Sequence, residues 1–376
     1  MAVGVSKRAI KHILFLVKKG KFREIYNYAW VKTLWWSPFW QKVLISRLGR
    51  WYDIYPPFLE IEPTTVCNLK CIMCEHTYWN EPPKNISFDE FRGIVDQFPH
   101  LKWMGLTGIG SSFLNKDFLK MVRYLKSKSV IVELIDTFNH IDGQIVEELV
   151  GMGVNIYFIS MSGATKETYE KVCVGANFDK VMENLKYLVR LKKERKTELP
   201  ILNFHYIISR TNMHEMITFV ELIHSLDCDA YEVLFTPLLH AFDEVKDEAV
   251  EISDEAIQAV GQRAKELGVR LAYSPTVPKN KPPISDCVQW LMPFIFSTGH
   301  VIVCCTGNEA NRRDFQKETS MGNVFEQGFK EIWYGDNYRK FREMIRKGEV
   351  PIQCVGCNCF NTTGKSKKGK TKEAVS

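Results

Sequence analysis

The sequence predicts an α/β protein: an open six-stranded (βα)6 partial TIM barrel, a helical basic extension before it and a small cysteine-bearing domain after it. From Pro57 onward, short apolar strands alternate with helical patterns, as in repeated βα units around a parallel sheet. Six such units occupy about 220 residues, short of the eight that close a full barrel. The chain has 376 residues, 45% hydrophobic and 25% charged, enough for one large core and a smaller satellite in an ordinary globular protein.

The first element, residues 1–57, is basic, with an amphipathic helical pattern. Between Met1 and Arg50 eleven Lys and Arg residues face a single acid, Glu24. With the aromatic run WVKTLWWSPFW, such a segment can associate with an anionic membrane surface, its tryptophans at headgroup level. Alternatively it packs as a lid on the barrel with its basic face solvated. The run ILFLV at 13–17 is too short for a signal segment, and no run approaches the roughly 18 apolar residues of a membrane span. No recognition module accompanies the charge, so no nucleic acid is expected as a partner. Eleven cysteines without a secretory signal point to a reducing, cytoplasmic location, peripheral at the inner membrane surface if residues 1–50 bind lipid.

The core is expected over 58–276, with strands near 58–62 (FLEIE), 101–107, 130–138, 155–161, 201–209 and 230–238, each followed by a helix. Ser87 and Glu90 have the S-x-x-E spacing of a capping box, which starts the first of these helices. The stretch VRLAYSP at 269–275 reads as an extra edge strand. A Pro/Lys-rich linker follows at 277–286, then a second domain over 287–362. The basic tail 363–376 lacks the apolar content to fold, and no internal repeat is visible.

Directly after the first strand, VCNLKCIMC sets Cys67, Cys71 and Cys74 within eight residues. A structural zinc site is closed by four ligands, whereas a site that does chemistry keeps a position open, so three clustered thiols suggest an unfinished shell. Three buried thiols, or zinc with a distant fourth ligand such as His76, are the alternatives. The spacing resembles the radical S-adenosylmethionine (radical SAM) superfamily. The resemblance implies a 4Fe-4S cluster on these three cysteines, its fourth iron left for the amino and carboxylate groups of S-adenosyl-L-methionine (SAM).

Further segments resemble the same family. GIGSSFLNKDF (108–118) is similar to the family's GxGEPLLNPDF, which implies that Gly108, Gly110 and Ser111 approach the methionine end of SAM. The family's glutamate is here Ser111. Thr137 and Asn139 match the family's TNG position loosely. SMSGATKETYEKVCVGANFDKV (160–181) is similar to SLDGATKETYEKIRGGANFDKV, making Ser160 and Ser162 candidates for the SAM ribose and carboxylate. There an Asp is replaced by Ser162 and an Arg by Cys173. Two acids replaced by hydroxyls make the pocket less negative, in a working variant or in a decayed site.

A second cysteine set, Cys287, Gly299-x4-Cys304 and Cys354-x2-Cys357, resembles the auxiliary-cluster region of the SPASM and twitch branches. It implies one auxiliary 4Fe-4S cluster on Cys287, Cys304, Cys354 and Cys357, closed to ligands and suited to electron transfer or a structural role. Zinc on the same thiols is the competing reading. Cys305 and Cys359 lie nearby as spares, Cys173 is left over, and Cys228 reads as a buried thiol.

The resemblance implies reductive cleavage of SAM to a 5′-deoxyadenosyl radical, fed by a low-potential donor of the ferredoxin or flavodoxin type. Hydrogen would then be abstracted from a small-molecule or lipid-linked precursor, for oxidation or bond formation. The alternatives are a ribosomal-peptide maturase and a non-catalytic SAM-binding iron-sulfur protein. His205 and Glu232, in the fifth and sixth strands, could act as acid/base or serve the fold alone.

Overall fold

The computed structural model describes residues 7–35, 37, 55–79, 81–238, 243–274, 283–305, 313–355, 357, 359, 360 and 362. The expected tail at 363–376, the end of the aromatic run beyond residue 37, and all of the linker before Pro283 lie outside the described residues.

All six expected core strands form: β1 (Phe58–Ile61), β2 (Trp103–Leu106), β3 (Ile131–Asp136), β4 (Ile156–Ser160), β5 (Ile201–Ile208) and β6 (Glu232–Pro237). The edge strand β7 (Leu271–Tyr273) follows, and β1 to β7 pair in sequence order, all parallel. The sheet does not stop at β1. A strand of the cysteine-bearing region, β8 (Phe294–Ile295), pairs parallel with β1, and β9 (His300–Ile302) and β10 (Gly322–Asn323) extend that edge antiparallel. The sequence reading missed this because two-residue strands carry no periodicity. It caps the open edge that β1 would otherwise expose.

Alternation along the strands separates two faces. Val132 and Leu134 of β3 and Leu202, Phe204, Tyr206 and Ile208 of β5 join the large core under the helices. The opposite, concave face carries Glu60, Gly105, Glu133, Ser160, Asn203 and His205, and its floor is a small cluster of Phe58, Trp103, Ile131 and Ile156. The helix over Phe88–Val95 starts with the expected capping box: Glu90 N donates to Ser87 Oγ at 3.2 Å and Ser87 N donates to Glu90 Oε2 at 2.7 Å.

The described part of the extension closes that floor. It forms α1 (Lys7–Lys18), α2 (Phe22–Ala29) and a π-helical turn, Trp30–Trp35. Val31 is fully buried in the floor cluster, Tyr28 stacks on Trp103 with centroids 5.6 Å apart, and the Lys32 ammonium lies 5.0 Å from the Trp103 ring. Glu24, the only acid of the first fifty residues, turns inward: Lys126 Nζ donates to it at 3.1 Å and Asn155 Nδ2 at 2.6 Å. In these residues the extension has the packing of a lid.

Glu24→Ala would strand the buried Lys126 ammonium, and breaking such a pair costs about 3–5 kcal/mol. A fall of that size in urea-unfolding stability at unchanged m is the expected result. A loss under about 1 kcal/mol would show that the pair is screened like a surface bridge. Burial raises the Glu24 carboxyl, but Lys126, Asn155 and Lys21 together hold it below its ordinary value. Its contribution is therefore present at neutral pH and lost as pH falls below the ordinary carboxylate range, through the folded-state value.

Candidate active site and metal centres

The three-cysteine loop is anchored at both ends. Val66 N donates to Thr64 Oγ1 at 2.9 Å, Ser111 N donates to Val66 O at 2.9 Å, and Lys70–Cys71 pairs antiparallel with Cys173–Val174, setting Cys71 opposite Cys173. Cys74 stands before the one-turn helix Glu75–Tyr78, whose Thr77 Oγ1 donates to Cys71 O at 2.8 Å. Burial pushes the Cys67 and Cys74 thiols up, and a hydrogen bond with Cys173, then burial, raises Cys71. Bound iron reverses that preference, because it takes thiolates. Among the described residues no three His, Cys, Asp or Glu side chains gather as they would around a single metal ion.

The glycines after β2 are dictated by close approach. A Cβ on Gly110 would stand 2.4 Å from Thr64 O and 2.7 Å from Val66 O, both backbone, and one on Gly108 would stand 2.3 Å from Glu62 Cγ. The glycine loop thus lies flat against the cysteine loop, which fixes the two backbones side by side for a ligand that would lie along their shared edge. The donor set and this cradle fit a cluster bound through three thiols with SAM beside it.

The other expected SAM residues divide. Ser160 is half-buried on the concave face, directly opposite His205 in register. Ser162 is buried, and its hydroxyl accepts from Ile207 N at 3.2 Å; Asn139 Oδ1 accepts from Asn177 N at 3.0 Å. Both hold neighbouring backbone. Ser111 Oγ donates to Asp136 Oδ2 at 3.1 Å, and Thr137 Oγ1 donates to Asp136 Oδ1 at 3.4 Å. Asp136 was missed at the sequence level, although an acid at the carboxyl end of a barrel strand is a recognisable signal.

His205 and Glu232 are not brought together. His205 Nε2 is 3.0 Å from Thr236 Oγ1, and the surrounding protein pushes its imidazole down to about 4, so it is neutral near pH 7. Glu232 sits at the amino end of β6 in an ion pair with Arg270 at 2.9 Å, at the floor rather than the mouth.

Two further acids went unread inside FLEIE, Glu60 within β1 and Glu62 directly after it. Glu60 faces the concavity opposite Gly105, whose Cβ would meet Glu60 Cγ at 2.9 Å. Glu62 is fully buried and accepts two bonds from Arg313 Nη2, at 2.7 and 2.5 Å. Arg313 opens α3 (Arg313–Glu318), in the cysteine-bearing region.

Cys287, Cys304, Cys354 and Cys357 line one small pocket with Trp290, Phe341 and the spare Cys359. Cys305 is not part of that lining and packs instead against the Phe294, Phe296 and Ile302 cluster. Burial pushes the Cys287 thiol up to about 11. Gly299 takes φ +86°, and a Cβ there would meet Asn323 Oδ1 at 2.2 Å, which explains the glycine of G-x4-C. Four thiols around one largely apolar pocket fit an auxiliary cluster.

Gly110→Ala must displace backbone, so it is expected to lower SAM affinity at least tenfold while the cavity of the second cysteine set keeps its iron. Equilibrium dialysis and iron analysis of anaerobically reconstituted protein check this, and unchanged affinity would contradict the close approach described.

Residues 61–223 match the model of the Radical SAM superfamily, and residues 287–358 match SPASM, an iron-sulfur cluster-binding domain. The chain is 24% identical over 317 residues to the tungsten-containing aldehyde ferredoxin oxidoreductase cofactor-modifying protein of Pyrococcus furiosus, covering 80% of this chain and 87% of that one. It is also 24% identical over 330 residues to the AdoMet-dependent heme synthase of Methanosarcina barkeri, covering 80% and 88%. Among solved structures, Streptococcus suis SuiB bound to S-adenosylmethionine superposes with a TM-score of 0.61 at 15% identity, over 78% of this chain and 70% of that one. The AdoMet-bound anSMEcpe does so with 0.57 at 15%, over 80% and 83%, likenesses that speak for the fold. Sequence motifs, fold and both family matches agree: the chain belongs to the radical SAM superfamily and carries a C-terminal SPASM iron-sulfur domain.

Proposed function

We propose that this chain is an enzyme that takes a hydrogen atom from a small-molecule or lipid-linked precursor, with net oxidation or bond formation. What supports the reading is the contact of the glycine loop with the three-cysteine loop beyond the carboxyl ends of β1 and β2, with Ser160 at the carboxyl end of β4 in register with His205 on the concave face. When bound, a 4Fe-4S cluster on Cys67, Cys71 and Cys74 together with SAM supplies reductive cleavage and hydrogen abstraction, and the protein's part is to bind, orient and exclude water. Gly108 and Gly110 offer backbone to the amino-acid end of SAM. Ser160 and neutral His205 present polar groups to the substrate, while Glu232 and Lys32 belong to the closed floor. Cys287, Cys304, Cys354 and Cys357 would hold the auxiliary cluster, and a ferredoxin- or flavodoxin-type donor would deliver the electron.

Two of the relatives are named for chemistry on cofactors, a cofactor-modifying protein and a heme synthase, which favours a small-molecule precursor. A SuiB structure bound to precursor peptide SuiA supports the peptide alternative. The deciding assay is anaerobic 5′-deoxyadenosine formation from SAM with a strong reductant, with Cys71→Ala as blank. About eight irons per chain are expected, and about four after Cys67, Cys71 and Cys74 are all changed to alanine. Deoxyadenosine no higher than the blank, with both clusters loaded and SAM bound, would replace the enzyme by a SAM-binding iron-sulfur protein.

A second part of the proposal concerns location: a cytoplasmic protein held at an anionic membrane surface. With Glu24 turned inward, the outward side of α1 and α2 keeps Leu14, Val17, Phe22 and Tyr26 exposed among Lys18, Lys19 and Arg23. No helix among the described residues is long and apolar enough to cross a membrane. Each basic residue near such a surface contributes about 1 kcal/mol, falling with salt. Co-sedimentation with phosphatidylserine vesicles should drop at least fivefold in Leu14→Asp/Phe22→Asp with iron content unchanged. Equal sedimentation of both proteins would refute the surface.

A further inference from the structure

Asp136 closes β3 and is 6% exposed. Its carboxylate accepts from Ser111 Oγ at 3.1 and 3.4 Å, from Ser112 N at 2.8 Å and from Thr137 Oγ1 at 3.4 Å. Every one of these donors is neutral. No ion pair to Asp136 occurs among the described residues, and burial pushes its carboxyl up to about 6 although Ser112, Ser111 and the Thr137 and Phe138 backbone all pull it down. The hydroxyls of Tyr157 and Tyr169, buried and without hydrogen-bond partners among the described residues, lie within reach of its charge. A buried carboxylate served only by neutral donors is costly, and a cation is what relieves the cost.

Its position says which cation. Ser111 links Asp136 directly to the cysteine loop, since Ser111 N donates to Val66 O at 2.9 Å, beside Cys67. The two loops that flank the carboxylate, 108–112 and 137–139, are those that carry the glycine cradle and the third strand end. SAM brings two positive groups, and only its ammonium has hydrogens to donate. The sequence lacks an acid at 111, and the acid that stands beside that position comes from the neighbouring strand.

We propose that Asp136 is the carboxylate that receives the ammonium group of SAM, presented across Ser111 from β3. The inference rests on the SAM-binding reading above and adds a residue that the motif comparison does not supply. It also recasts the serine at 111: the site is rebuilt rather than decayed, with its negative charge moved one strand along.

The test uses full-length protein with both clusters reconstituted anaerobically, and measures binding of three ligands by equilibrium dialysis. SAM and S-adenosylhomocysteine carry the ammonium; 5′-methylthioadenosine lacks the whole amino-acid part. Asp136→Asn should weaken the first two tenfold to hundredfold and leave the third within about twofold. Equal weakening of all three would make Asp136 a loop clamp and overturn the inference, as would no weakening at all. The exchange Ser111→Glu/Asp136→Ser should recover SAM binding to within about threefold of the unmodified protein, while Asp136→Ser alone should not. If Asp136→Asn fails to load iron, the exchange decides alone: recovery supports the inference, and binding no tighter than Asp136→Ser overturns it. The two failures stay distinct. If the chain is not an enzyme, deoxyadenosine is absent while these ligand ratios persist; if Asp136 has another role, the ratios vanish while deoxyadenosine is still formed.

Discussion

Arg313 and Glu62 form a buried ion pair on which the arrangement of both cysteine sets depends. Their side chains are 4% and 0% exposed, respectively. Arg313 Nε also donates to Glu81 at 3.1 Å, and the Phe296 ring lies 3.7 Å from the guanidinium carbon. Burial pushes Glu62 up to about 7 against the pull of Arg313, and the pair is held by both Glu62 oxygens accepting from Arg313 Nη2 while Glu81 takes Nε. Three parts meet at it. Glu62 is the last residue before the chain turns into the cysteine loop, its side chain occupies the space that forces glycine at 108, and Arg313 pins the start of α3 to the barrel. An arginine in the auxiliary region thereby fixes the glycine cradle of the catalytic one.

The same contact separates what could be read from what could not. The parallel strands were legible because each is a short apolar run bounded by helices, and the Ser87 cap because its partner is three residues away. The three-cysteine set was legible for the same reason, since its spacing is local, whereas the second set, spread over residues 287–357, could be read only through its resemblance to the SPASM region. Arg313 and Glu62 are 251 residues apart, and nothing in either neighbourhood marks the other. Glu24 is similar: the amphipathic pattern of the extension was visible, but which side turns inward is decided by Lys126 and Asn155, 102 and 131 residues away. Asp136 is the instructive case at the site. Its residue type and strand-end position were in plain view, yet its significance comes from Ser111 across two adjacent strands, and only the register supplies that.

Departures from a family motif look different once register is known. Position by position, Ser111 and Ser162 each lack an acid, and the sum suggests a pocket stripped of charge. In space the two differ. Ser162 is committed to the β4–β5 backbone through Ile207 N, so its hydroxyl completes a fold contact. Ser111 passes its hydrogen to an acid from the next strand, so negative charge is retained beside it. Cys173, where the family has an arginine, faces Cys71 across a two-residue ladder. A small side chain there lets the cysteine loop lie close to the ladder, where a long cation would have to be accommodated.

The concave face narrows the class of molecule that can fill it. Closed barrels pack this space with branched aliphatic layers, whereas here Glu60, Glu133, Asn203, His205 and Thr236 point into it between Ile135, Phe158 and Leu234. β2 answers Glu60 with Gly105, which leaves room for the carboxylate instead of packing over it. Trp103 Nε1 donates to Glu133 at 3.1 Å, and burial pushes that acid up to about 7. Near neutrality Glu133 therefore holds a proton in a substantial fraction of molecules, and His205 lacks one. The lining is thus rich in hydrogen-bonding groups, with Glu133 near the floor and His205 facing Ser160 nearer the strand ends. Among the described residues Val31 and Tyr28 close the floor, which leaves the side of the cysteine loop for entry. A polar substrate arriving that way would meet the glycine cradle before it reached His205, which would put its nearest carbon–hydrogen bonds, rather than its buried end, beside the proposed SAM site.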